Sequence, residues 1–233
     1  MIKYSKIING EFVLRPNRFV AVVNINGKEE TVHVKNTGRC RELLLPGSRV
    51  VLSCSDNPAR KTKYDLIAVY KERDGNTPLL INMDSQIPND VAEEWLKKGK
   101  LFSKNAVLRR EVKFGNSRFD FYVEDGERKA FVEVKGVTLE ENGIAMFPDA
   151  PTERGVKHIK GLEAAKANGF EAYVLFIIQM KGICKFKPND ETHKAFGDAL
   201  RSGINNGVKI LALDCIVKEN SIGADNAIEV CLS

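Results

Sequence analysis

Three acids and one lysine fall close together along the chain: Glu111, Asp120, Glu133 and Lys135. They lie in strand-like runs joined by two turn signals, Gly115-Asn116 and Asp125-Gly126. Two-residue turns of this kind set the register of a hairpin. The first pairs Phe114 with Ser117 and puts Glu111 opposite Asp120. The second pairs Glu124 with Glu127 and puts Asp120 opposite Phe131. Side chains alternate along a strand, and cross-strand partners share a face. The three acids and Lys135 are therefore predicted on one face of a sheet. The other face collects Phe119, Phe121, Val123, Ala130, Val132 and Val134, with Arg110 as an unplaced exception.

Carboxylates gathered on one face are costly to bury unless a positive charge balances them. Diagonal neighbours such as Asp120 and Glu133 stand about 7–8 Å apart at Cβ, so their oxygens can share one hard cation, Mg²⁺ or Mn²⁺. Such a metal lowers the pKa of its water, and Lys135 then orients that water or stabilises charge on a phosphate. The expected roles are Asp120, Glu133 and Lys135 as catalytic groups, with Asp120, Glu133 and Glu111 as metal ligands. A solvated strand face with a Glu-x-Lys pair shows the same pattern, so the residues alone leave both readings open.

The elements around this cluster read as a mixed sheet flanked by helices. Asn89 or Asp90 is placed to cap a helix that stops at Gly99. Strands are predicted over 107–114, 118–124 and 129–137, then a helix with Val156, Ile159 and Leu162 on its buried stripe. A continuous apolar run at 171–179 predicts a buried central strand, followed by a helix at 190–204 and a last strand at 209–217. Arg154 and His158 stand four residues apart on the middle helix, on a face distinct from its apolar stripe.

The first 80 residues have a different texture. Strands are predicted over 18–25 and 30–34 around Asn26-Gly27, and over 50–53 and 66–70, with no long helix before residue 89. That pattern suits a small β-barrel of the OB type. Its loops carry Arg39 and Arg41 in one stretch and Arg60, Lys61 and Lys63 in another, all expected phosphate contacts. Residues 1–73 hold 14 Lys and Arg against 7 Asp and Glu, a balance of +7 within a chain of net charge +5. The division expected is a barrel over 1–84, suited to a polyanion, and an α/β domain over 85–233.

Composition narrows the class. With 233 residues, 43% hydrophobic and 29% charged, the chain is an ordinary globular one. Its longest apolar run is far short of a membrane span, and residues 1–12 lack an apolar signal block. Five cysteines without a C-x-x-C argue for reduced thiols and against a zinc site. A cytoplasmic protein with no membrane partner is expected.

Several stretches make the chain resemble a known family: Asn36-Thr37-Gly38, Pro46-Gly47, Glu111 to Gly115, Ser117 to Phe121, Val132 to Lys135, and Phe147 to Gly155 with Lys157-His158. Over roughly residues 11–213 it resembles the sugar fermentation stimulation protein family. The resemblance implies an N-terminal OB fold and a C-terminal domain like the PD-(D/E)xK nucleases. It also implies non-specific DNA binding and a role in regulating sugar, particularly maltose, metabolism. Matched residue by residue, Asp120 stands at the first acid, Glu133 at the second, Lys135 at the lysine and Glu111 at an additional upstream acid. Phe119 replaces the proline that often precedes the first acid, and Cys40 stands where a methionine is common. In such folds the helix after the lysine strand borders the cleft, which makes Arg154 and His158 candidate contacts to phosphate or water. Two functions follow: a Mg²⁺- or Mn²⁺-dependent phosphodiesterase, or a non-catalytic DNA-binding regulator on the same scaffold. DNA against RNA, strandedness and oligomeric state stay open.

Overall fold

The computed structural model describes residues 1–36, 38–73 and 76–232; Thr37 of the Asn36-Thr37-Gly38 stretch lies outside them. In chain order the first strands are β1 (Ile2–Lys3), β2 (Ile7–Asn17), β3 (Val20–Ile25), β4 (Lys28–Val34), β5 (Arg49–Cys54), β6 (Tyr64–Arg73) and β7 (Asn76–Asn82). Strands β2 to β7 form a sheet in the order β4-β3-β2-β5-β6-β7. A parallel pairing of β4 with β6, His33 to Asp65 and Val34 to Leu66, closes five of them into a barrel. Closure removes the edges that an open sheet would leave unpaired. Ala21, Val23 and Ile25 alternate inward along β3, as a barrel wall requires. Strands β2 and β7 have no predicted counterpart. Gly10 and Pro16 read as breakers within β2, yet its ladder with β3 absorbs irregularity by shifting register on either side of Leu14.

The chain continues through α1 (Ile87–Lys97), β8 (Val107–Phe114), β9 (Ser117–Asp125), β10 (Arg128–Val137), β11 (Leu139–Glu141), β12 (Ile144–Phe147) and α2 (Glu153–Ala167). It ends with β13 (Glu171–Ile178), β14 (Lys185–Pro188), α3 (Asp190–Asn205), β15 (Lys209–Lys218), β16 (Ser221–Ala227) and β17 (Glu229–Val230). A seven-stranded mixed sheet runs β1-β16-β15-β13-β10-β9-β8, parallel at its centre. Val91, Trp95 and Leu96 of α1 cover one face, whereas Ile159 and Leu162 of α2 and Phe196 and Leu200 of α3 cover the other. With both faces covered, β13 is buried along nearly its whole length. Strands β11, β12, β14 and β17 form a small second sheet.

Four expectations need correction. Strand β1 does not belong to the barrel: it pairs antiparallel with β16, so the first residues complete the second domain's sheet. Helix α1 starts earlier than predicted, with Pro88 in its first turn, and Asn89 is released from the capping role. The turn between β9 and β10 is Gly126-Glu127, with Asp125 opposite Arg128. Asp125 is retained as a strand residue because its carboxylate accepts from the backbone N–H and hydroxyl of Ser103, and Gly126 takes the left-handed conformation the turn demands (φ +62°). Tyr122, not Asp120, is therefore opposite Phe131, and Asp120 comes directly level with Glu133. Finally, Phe119 packs on the α2 side, whereas Phe121 packs on the α1 side. Arg110 finds its place there, 5.6 Å over the Phe121 ring and paired with Asp90 and Glu93 of α1.

The two domains meet through a polar junction. Asn82 N–H donates to Gln179 O at 2.9 Å, and the Gln179 side-chain amide donates to Asn82 Oδ1 and Asp84 O. Fully buried Asp84 accepts from Lys35 of the barrel at 2.7 Å. Lys71 and Arg73 of β6 reach Glu140 of β11.

Candidate functional site

The ladder between β9 and β10 ends at Phe121–Val132, and the strands part at Asp120 and Glu133. Parting frees the Val134 N–H, which donates to Asp120 Oδ2 at 2.8 Å. Asn89 Nδ2, from the first turn of α1, donates to Asp120 Oδ1 at 3.0 Å. The Asp120 carboxylate is thus fixed by one donor from the sheet and one from the helix. Burial, then the neighbouring Glu133 charge, still push its pKa up against these hydrogen bonds and Lys135.

Glu133 is 2% exposed. Its Oε1 meets both Lys135 Nζ and His158 Nδ1. Burial would push this carboxyl up, but the His158 hydrogen bond and the Lys135 charge outweigh it and hold it below the usual range. Its Oε2 is buried without any hydrogen-bond partner. An orphaned oxygen on a charged, buried carboxylate is rare because its desolvation is uncompensated.

Helix α2 brings the third wall. Thr152 caps it, its Oγ1 accepting from Gly155 N–H, and the following turn aligns Arg154 and His158. Arg154 is exposed at the mouth; His158 is buried beneath it. Arg154 Nε donates to His158 Nε2 at 3.3 Å. His158 consequently carries its proton on Nδ1, donating to Glu133 while accepting from Arg154. Sequence reasoning placed His158 on the right helix face but missed Glu133 as its partner, because contacts between a strand and the helix packed on it leave no spacing signal.

Glu111 is not brought in. Its backbone takes a positive φ of 59° and interrupts the β8–β9 ladder, and its carboxylate pairs with Arg118 at 2.7 Å on the surface. Among the described residues no group of three or more His, Cys, Asp and Glu side chains is arranged to hold a metal. The oxygen donors that converge are Asp120 and the orphaned Oε2 of Glu133. Two hard carboxylates, one with a spare buried oxygen, fit a cation such as Mg²⁺, Mn²⁺ or Ca²⁺ that keeps several waters.

On the barrel, Arg39 and Arg41 are exposed and line a cavity of about 470 Å³ together with Arg15 and Arg18, which the sequence did not single out. Arg60 is committed elsewhere: its Nη1 and Nη2 clamp Asp65, which His33 also contacts at 2.9 Å. Lys61 and Lys63 sit at the tip of the β5–β6 hairpin beside Lys6, the opposite end of β5 from Arg49 and the arginine loop. The expected basic residues therefore form two groups. A second cavity of about 320 Å³ lies between the domains, lined by Asn36 and Ser85 on one side and Gly136, Asp149 and Gln179 on the other. Gly136 has no room for a side chain: a Cβ there would stand 2.6 Å from Gln179 Oε1 and 2.7 Å from Pro88 Cγ.

Comparisons with known proteins agree with this architecture. Residues 86–221 match the family described as the Sugar fermentation stimulation protein RE domain, and residues 13–78 match the SfsA N-terminal OB domain. The chain is 61% identical over 231 residues to a sugar fermentation stimulation protein homolog of Desulfitobacterium hafniense, covering 99% of each. It is 54% identical to the homolog of Clostridium beijerinckii, covering 99% of this chain and 100% of that one. It is also similar to the structure of Pyrococcus furiosus SfsA in complex with Ca²⁺, with a TM-score of 0.84, 28% identity, and 98% and 97% of the two chains covered.

Proposed function

The chain belongs to the sugar fermentation stimulation protein family, and we propose that it binds DNA largely without sequence preference and cleaves phosphodiester bonds with a divalent cation on Asp120 and Glu133. The observation that carries this reading is the unpartnered Oε2 of buried Glu133 beside Asp120. A relative whose structure is described as a Ca²⁺ complex supports a hard-cation site in this fold. When bound, the cation supplies a water of lowered pKa and positive charge for the phosphate. Asn89 and Val134 N–H hold the Asp120 carboxylate in place. His158 holds Glu133 in its rotamer, leaving Oε2 free. Lys135, 16% exposed at its side chain, keeps ammonium protons for a phosphate oxygen or the attacking water. Arg154, exposed above His158, is placed to bind a phosphate of the entering strand.

A second reading has its own observation. Lys135 and His158 already balance Glu133 Oε1, and Glu111 lies outside the cluster, which suits a regulator of sugar metabolism that keeps the scaffold and only binds DNA. A paired titration and cleavage time course, with and without Mg²⁺ or Mn²⁺, separates the two on wild type and Lys135→Ala. In the enzyme the substitution lowers cleavage about 10²–10³-fold while affinity changes little. Binding without cleavage on any strand type hands the case to the regulator.

A further inference from the structure

Phe19 stands 46% exposed at the tip of the β2–β3 hairpin, with the Arg18 guanidinium 4.8 Å over its ring. The tip is firmly built. Phe19 N–H donates to Asn17 Oδ1 at 2.9 Å, and Phe19 O accepts from Val34 N–H at 2.8 Å. Directly beside it opens the cavity lined by Arg15, Arg18, Arg39 and Arg41. Arg15 braces its walls: the two terminal nitrogens donate to the carbonyls of Arg18, Asn36, Gly38 and Arg39 at 2.7–3.0 Å, tying the hairpin tip to the loop. Arg39 and Arg41 are exposed and form no ion pair among the described residues, so two guanidinium groups remain available to an anion while Arg18 lies over the Phe19 ring.

This cavity meets the interdomain one at Gly38 and Ala150, and the latter extends to Gly136, the residue after Lys135. Among the described residues the only acid lining the two is Asp149, beside the Arg15 and Arg39 charges. An exposed aromatic ring, adjacent guanidinium groups and two cavities that share Gly38 and Ala150 are the parts of a stacking platform with an electrostatic groove. Cavities of about 470 and 320 Å³ are the size of small-ligand sites, enough for a phosphate and the nucleotide that carries it.

We propose that the hairpin tip and the arginine cavity form an entry site for single-stranded DNA. A backbone phosphate occupies the arginine cavity, its base stacks on the face of Phe19 away from Arg18, and the strand passes Gly38 and Ala150 toward Asp120 and Glu133. The inference rests on the DNA-binding reading above and assigns its substrate class.

The test is fluorescence anisotropy with a short thymidine oligomer and with its duplex, across a salt series, on wild type, Phe19→Ala, Phe19→Trp and the Arg39→Ala/Arg41→Ala pair. All changed side chains are exposed, and circular dichroism checks that each variant is folded. Wild type binds the single strand more tightly than the duplex. Phe19→Ala weakens single-strand binding by about fivefold or more with an unchanged salt slope, and Phe19→Trp restores it. The arginine pair weakens binding and flattens the slope by about 1.4. Wild-type binding that all the variants leave untouched, or a preference for duplex, overturns the entry site while DNA binding stands. No binding to either form removes the DNA reading and the site with it.

Discussion

Asn89 in the first turn of α1 and Asp120 in β9 are joined across the domain by one hydrogen bond, Nδ2 to Oδ1 at 3.0 Å. The helix covering one face of the sheet thereby fixes an acid whose neighbour, Glu133, is held by His158 of the helix covering the other face. Asn89→Ala removes the donor and leaves Asp120 held by Val134 alone. Loss of an orienting partner of this type costs about 10–100-fold in cation affinity and about 1 kcal/mol in stability. Isothermal titration with Mn²⁺ and a thermal melt measure the two effects separately. Unchanged cation affinity would mean that Asp120 is positioned without the helix.

The acids should separate cleanly by substitution. Glu133→Gln and Asp120→Asn remove the charges that converge, and each weakens Mn²⁺ binding more than Asn89→Ala does. Glu111→Gln leaves cation affinity as in wild type, because that carboxylate serves Arg118 at the surface. Equal losses at Glu111 and Glu133 in calorimetry would restore the third acid to the site.

Arg60→Ala acts on stability before it acts on DNA. Burial pushes the Asp65 carboxyl up, but the Arg60 and His33 hydrogen bonds hold it below its ordinary value. Removing Arg60 strips a buried carboxylate of its main partner, at a cost of about 1–3 kcal/mol. Chemical denaturation checks this, and DNA affinity of the folded variant should fall less than for Arg39→Ala. A larger loss of affinity than of stability would return Arg60 to the phosphate contacts.

Glu171 sets an acid limit at the other end of the central strands. Arg128, Tyr173 and Lys209 hold its pKa at about 2, against an ordinary 4.5. A depressed carboxylate contributes stability that is present above 4.5 and lost as the pH falls toward 2. The group is only partly buried and its main partner Arg128 is exposed, so the contribution is small. Melting curves of wild type and Glu171→Gln should differ at pH 6 and converge by pH 2; a gap that persists at pH 2 would place the effect elsewhere.

Much of the architecture was legible because periodicity reports burial. The strand over 107–114, the buried run from 171 and the helices at α2 and α3 follow directly from where apolar residues recur. The barrel was visible in its hairpins, although β2 hid behind Pro16 and β7 behind a short run. The Gly115-Asn116 turn set the β8–β9 register correctly. The second turn failed because two adjacent dipeptides both contain Gly126, and the choice between them depends on Ser103 capturing Asp125, a contact between residues 22 apart. The candidate cluster was half legible. Asp120, Glu133 and Lys135 do converge, but Asn89 and His158 complete it through packing of helices on the sheet, which no local pattern encodes.

The pairing of β1 with β16 has a consequence for how the molecule is made. Strand β1 waits for β16, and the whole barrel is synthesised between them. The seven-stranded sheet thus cannot seal that edge until β16 has been made, a non-local closure that slows folding. Until β1 docks on it, β16 presents an open rim to any other nascent strand. Separating the domains by a cut near residue 84 would leave that rim bare for good, so the second domain is best expressed with Ile2–Lys3 restored to it by a grafted linker.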